Sequence, residues 1–120
     1  MGNPVVHFEV GAVDAERARR FYADLFDWDI RVDPSGYGLV DTGSPVGIAG
    51  GLLPAPAGRP TWVTFYVSVE DLGKALVRVQ ELGGRRLMGP QPIGEDMAFA
   101  MFTDPDGNVV GLVQEAASTQ

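Results

Sequence analysis

The sequence predicts an α+β protein made of two consecutive βαβββ modules, and three observations lead there. The chain is similar to itself at an offset of 57 residues. Each copy opens with a run of β-branched and aromatic residues and continues into an apolar stripe of helical period. Between the copies, residues 54–60 carry three prolines and a glycine, the composition of a linker.

The offset places Val10 on Val67, Asp14 on Asp71, Ala18 on Ala75, Tyr22 on Val79, Leu25 on Leu82 and Ile30 on Leu87. These are apolar and helix-capping positions, which two copies of one supersecondary unit would share. Module one is expected over about 4–53 and module two over about 61–115, within a single domain. The first strand of each is predicted over 5–10 and 61–67. Asp14 is a fitting N-cap for the first helix, whose stripe is Ala18, Phe21, Tyr22 and Leu25; Phe21 and Tyr22 are expected to pack it on the sheet. In the second helix the stripe is Leu72, Ala75, Val79 and Leu82, and Gly83-Gly84 supply a left-handed stop. Three shorter strands follow each helix, predicted over 28–32, 37–40 and 46–53, then over 85–88, 97–102 and 109–113.

Composition narrows the function classes. At 120 residues the chain is one domain's worth. Nine basic against sixteen acidic residues give a net charge of −7, a field that repels polyphosphates, so nucleic acid is not expected as a partner. No apolar run approaches the roughly 20 residues that span a bilayer. Nor does the start of the chain have the layout of a secretory signal, so a cytoplasmic protein without a membrane partner is expected. Without cysteine there is no disulfide, thiolate metal site or thiol nucleophile. His7 is the sole imidazole, so one chain cannot supply a multi-histidine metal site.

Two stretches carry a family likeness. His7 lies fifteen residues before Tyr22 in a strand-to-helix passage ending in Phe21-Tyr22, and Asp104-Pro105-Asp106-Gly107-Asn108 forms a hairpin signal before the last strand. By its own chemistry that hairpin is a tight turn: Asp104 caps it, Pro105 presets φ and Gly107 takes the left-handed position. In order and spacing the two stretches resemble the vicinal-oxygen-chelate superfamily of glyoxalase, bleomycin-resistance and dioxygenase proteins, over about residues 4–115. The resemblance implies a half-open, cup-shaped mixed sheet with the helices outside, and a homodimer.

Metal-binding members of that family take ligands from four strand positions, the first and last strand of each module. His7 matches the first. The offset carries it onto Thr64, a poor ligand, and Gly111 falls where the last strand would present a glutamate. No Asp, Glu or His occurs from Thr42 through Val69, so the last strand of module one has no carboxylate either. One retained position does not repay the dehydration of a divalent cation, so no metal cofactor is expected.

Strand alternation places His7 with Glu9, and Thr64 with Tyr66, on one face. Pairing Asp104 with Asn108 across the hairpin sets Met101 opposite Gly111 and Phe99 opposite Val113. The expected site is therefore a largely apolar, aromatic pocket lined by Thr64, Tyr66, Phe99, Met101 and Gly111, with His7 and Glu9 as acid–base candidates. Three functions stay open: sequestration of a small hydrophobic or aromatic molecule, a metal-free enzymatic step on it, or a metal-dependent lyase, isomerase or dioxygenase with His7 as a ligand.

Overall fold

The computed structural model describes residues 2–115 as two compact units. The chain is α+β, with the order β1(Val5–Ala12) α1(Ala15–Phe26) β2(Asp29–Val32) β3(Gly38–Asp41) β4(Gly50–Pro54) β5(Trp62–Ser68) α2(Leu72–Glu81) β6(Arg85–Ile93) β7(Met97–Thr103) β8(Val109–Glu115). The repeated βαβββ pattern is thus present. Among the described residues, no helix is long and apolar enough to cross a membrane.

The N-terminal unit spans Val6–Thr64. Its strands run in the order β2-β3-β4-β1, with β1 parallel to β4 and the other pairs antiparallel. Asp14 caps α1 by accepting from the Arg17 N–H at 3.1 Å. Asp27 ends the helix in the left-handed region (φ 61°), its N–H bonded to the Ala23 carbonyl. The core joins buried Ala12, Val40 and Leu52 to Phe8, Val10, Ala15, Ala18, Tyr22, Trp28 and Ile30.

The C-terminal unit comprises Phe65 onward together with the residues up to Val5. The Asn3 side chain donates to the Ser68 carbonyl, and the Ser68 N–H to the Pro4 carbonyl. Its strand order, β5-β8-β7-β6, repeats the pattern of the first unit: first strand parallel to fourth, then two antiparallel steps. Asp71 caps α2 through the Lys74 N–H at 3.0 Å, and Gly83 (φ 101°) supplies the left-handed turn after it. Leu72, Leu76, Ala100 and Leu112 form the core. The outer strand, β6, is exposed at nearly every position and pairs with β7 through two register shifts, between Arg86 and Met88 and between Met88 and Gln91.

Three expectations need correction. Phe21 and Leu25 do not pack α1 on its sheet: each is 58% exposed, and Ala15, Ala18 and Tyr22 make the contact. Leu82, the C-cap of α2, is likewise exposed, and Leu76 fills the core position. A 3.6-residue period shows which residues share a side of a helix, not how far the surface beneath extends. Finally, residues 46–49 lie outside β4. Gly43 and Gly47 adopt positive φ, and the Ser44 hydroxyl accepts the Val46 N–H, so the chain bends where a strand was expected.

Candidate functional site

Alternation along β1 sends Phe8 and Val10 into the core under α1 and leaves His7, Glu9 and Gly11 on the opposite face. Glu9 is only 7% exposed. A carboxylate is costly to bury unless hydrogen-bonded, and both its oxygens are engaged. The Trp62 indole N–H donates to Oε1 at 3.1 Å, and the Tyr37 hydroxyl donates to Oε2 at 3.1 Å. The same hydroxyl lies 2.9 Å from His7 Nε2, and the two rings stack with centroids 6.3 Å apart and planes 21° from parallel. Glycines make room for these rings: a Cβ at Gly11 would overlap the Trp62 ring, and one at Gly51, the β4 partner of Glu9, would overlap the Tyr37 hydroxyl.

Tyr37 is placed by the turn before it. In Asp33-Pro34-Ser35-Gly36-Tyr37, the Asp33 carboxylate accepts the N–H groups of Ser35 (2.8 Å) and Tyr37 (3.1 Å), and the Asp33 N–H bonds the Tyr37 carbonyl (2.9 Å). Asp104 does the same for Asp106 and Asn108 in the second hairpin. The Asp-Pro-x-Gly signal thus occurs twice, and its first occurrence delivers Tyr37, a site residue that sequence reasoning missed. Trp62, which donates to Glu9, is the other.

Burial lowers the His7 pKa from its ordinary value, and the Glu9 charge opposes this with a smaller upward pull. The ring is therefore neutral at pH 7 and can act as a base.

In the C-terminal unit the pairing is as the hairpin register implied, with Met101 opposite Gly111 and Phe99 opposite Val113. Tyr66 pairs with Gly111 across β5 and β8, as Glu9 pairs with Gly51 across β1 and β4. A Cβ at Gly111 would overlap the Tyr66 ring, which meets Phe99 edge-on at 6.4 Å. Tyr66, Met101 and Val113 are buried. Of the remaining predicted residues, Thr64 is buried on β5 within the N-terminal unit. Two open surface clefts, one of about 260 Å³ beside Asp29 and Arg31 and one of about 380 Å³ beside Val79 and Phe102, include none of the predicted site residues.

Among the described residues no three His, Cys, Asp or Glu side chains converge. Tyrosine rings lie over Gly51 and Gly111, where further ligands would have to project.

The chain matches the family model of the Glyoxalase/Bleomycin resistance protein/Dioxygenase superfamily over residues 5–112. It is 32% identical over 114 residues to the CFP32 protein of Mycobacterium tuberculosis, named as a candidate glyoxylase; the match covers 88% of this chain but 43% of that one. The chain thus spans less than half the length of that relative. A glyoxylase-like domain-containing protein of Didymella fabae is 27% identical, with 83% and 84% of the two chains covered. Among solved structures, hypothetical protein BH1468 of Bacillus halodurans superposes with a TM-score of 0.72 at 13% identity, covering 100% of this chain and 99% of that one. Methylmalonyl-CoA epimerase of Mycobacterium tuberculosis superposes with a TM-score of 0.66 at 15% identity, covering 93% and 87%. With its paired βαβββ modules and a family match along nearly its whole length, this chain belongs to the Glyoxalase/Bleomycin resistance protein/Dioxygenase superfamily.

Proposed function

We propose that this chain binds a small hydrophobic or aromatic molecule and moves a proton on it without a metal, with His7 and Glu9 as the acid–base pair. One observation carries the reading: a neutral imidazole, a phenol and a buried carboxylate are joined in one hydrogen-bonded chain, His7–Tyr37–Glu9. Positioned acid–base groups of this kind contribute roughly 10²–10⁴-fold to a rate. Support for the small-molecule partner comes from a fold neighbour, the Streptomyces coelicolor methylmalonyl-CoA epimerase, solved in complex with 2-nitronate-propionyl-CoA.

The test is deuterium washout. Small carbon acids and phenols are incubated with the protein in D₂O, and loss of their exchangeable C–H signals is followed by proton NMR. Washout should be slowed about 10²-fold or more in His7→Gln and be indifferent to chelator. One metal per chain, lost together with activity in His7→Ala, would overturn the proposal in favour of metal-dependent chemistry. Sequestration is the second reading, favoured by the Tyr66–Phe99–Met101 cluster; tight binding with no washout would select it. A cytoplasmic homodimer belongs to the same proposal. Phe21 and Leu25 offer apolar surface for a second copy, and light scattering should give twice the chain's 12.8 kDa.

A further inference from the structure

We infer that the cleft of about 380 Å³ beside α2 in the C-terminal unit is a second small-molecule site, suited to a carboxylate with an apolar tail. Its apolar wall comes from the helix. Ala75, Val79 and Leu82 recur at helical spacing along the cleft, and Leu82 is 63% exposed there. Phe102 lies across from them on β7. It packs toward α2 with Ala100, whereas Phe99 and Met101 alternate to the opposite face of the strand. A ligand in the cleft is therefore across the sheet from the Tyr66–Phe99–Met101 cluster. Gly84 brings the two walls together: a Cβ there would overlap the Thr103 carbonyl and the Val79 side chain. Pro105, from the Asp104–Asn108 hairpin, completes the apolar lining.

The charge pattern selects the ligand. The chain carries a net charge of −7, yet the basic side chains of the C-terminal unit, Lys74, Arg78, Arg85 and Arg86, all fall between residues 74 and 86. Arg78 lines the cleft itself, and Lys74 precedes it by one helical turn on the same side. Arg78 bonds Glu81 at 3.3 Å, but both side chains are more than half exposed, and a surface pair of this kind contributes little. Its planar guanidinium has N–H groups enough to take a ligand carboxylate alongside. Asp104, the acidic group of the lining, turns its carboxylate into its own hairpin. There it accepts the Asp106 and Asn108 N–H groups and the Asn108 side-chain amide. An apolar body against Val79 and Phe102, with its carboxylate on Arg78, satisfies both halves of the cleft. The volume falls within the range of small-ligand pockets.

Octanoate and its neutral amide, octanamide, test this when titrated into the ¹⁵N-labelled full chain and followed by amide chemical shifts. Octanoate should shift the amides of Val79, Leu82, Gly84 and Phe102 saturably, and octanamide should bind about fivefold to tenfold more weakly. Arg78→Gln should remove that difference, and high salt should narrow it. Leu82→Asp, which sets a like charge at the apolar wall, should weaken octanoate at least as much. Both positions are exposed, so urea midpoints of the two variants should match that of the unaltered protein. No saturable shift, or equal binding of acid and amide, overturns the inference. So does a preference for the acid that survives in Arg78→Gln, or shifts confined to residues outside the cleft. Shifts of the same amides that grow with protein concentration before any probe is added would assign the cleft to a second copy of the chain, and would overturn it too. Should either variant fail to fold, the comparison of acid with amide in the unaltered protein still decides.

Discussion

A single methyl group added at Gly111 probes the packing that replaces a ligand position. In Gly111→Ala the new Cβ would overlap the Tyr66 ring, and Gly111 needs no unusual backbone conformation, so the cost is steric. Tyr66 is 9% exposed and its ring meets Phe99 edge-on, so it cannot swing aside without displacing its surroundings. Overpacking of this kind costs about 1–3 kcal/mol. For a chain of this size 2 kcal/mol corresponds to roughly 8 °C in Tm. Tyr66→Ala alone should cost about 3–5 kcal/mol as a large aromatic truncation. In that background the methyl group enters vacated space, so Gly111→Ala should become neutral or stabilising. The double-mutant cycle, read from urea midpoints at constant slope, should give a coupling of about 1–3 kcal/mol. Gly111→Glu should cost a further 1–3 kcal/mol or so for its unpaired carboxylate, and added Zn²⁺ should not restore it. A Gly111→Ala cost below about 0.5 kcal/mol, or one equal in both backgrounds, would refute the steric argument.

The remaining predictions concern pH and the helices. Because burial lowers the His7 pKa, the unfolded chain binds the extra proton below about pH 6.5, so stability falls as pH drops through the window beneath that value and levels off below the folded pKa. Urea midpoints should show this acid loss in the unaltered protein and a flatter profile in His7→Gln. Leu76→Ala should cost about 2–5 kcal/mol, whereas exposed Val77→Ser should stay within about 0.5 kcal/mol; calorimetry that reverses this order would contradict the packing described. The Asp33 and Asp104 pKa values are lowered, first by side-chain hydrogen bonds from Ser35 and Asn108 respectively. Stability from these turns is present above the ordinary carboxylate pKa and is lost as pH falls through the lowered values, so Asp104→Ala should lower Tm at neutral pH and narrow the difference in strong acid.

Much of the fold was legible because the chain states it twice. Repetition of the strand runs and of the capping pair Asp14 and Asp71 located both modules, and the Asp104–Asn108 turn gave the register that sets Met101 against Gly111. Strand alternation put His7 and Glu9 on one face. What it could not give was the third member of their chain. Tyr37 comes from the turn between β2 and β3, and its approach depends on an absence, the missing Cβ of Gly51, which carries no chemical signal in a sequence. Phe21, Leu25 and Leu82 misled for a related reason: periodicity reports the moment of a helix but not the width of the sheet that receives it.

The outer strand β6 bears on how this protein behaves in crowded solution. Nine residues of open strand rim would ordinarily invite another chain to pair along it. Here Pro90 and Pro92 have no N–H to offer, the two register shifts break the regular spacing of the rest, and Arg85 and Arg86 place adjacent like charges at its start. A newcomer would find no run of evenly spaced donors long enough to zip against. The apolar side chains Leu87, Met88 and Ile93 can therefore remain exposed on this rim without seeding fibrils, and valine at 90 and 92 should remove that protection.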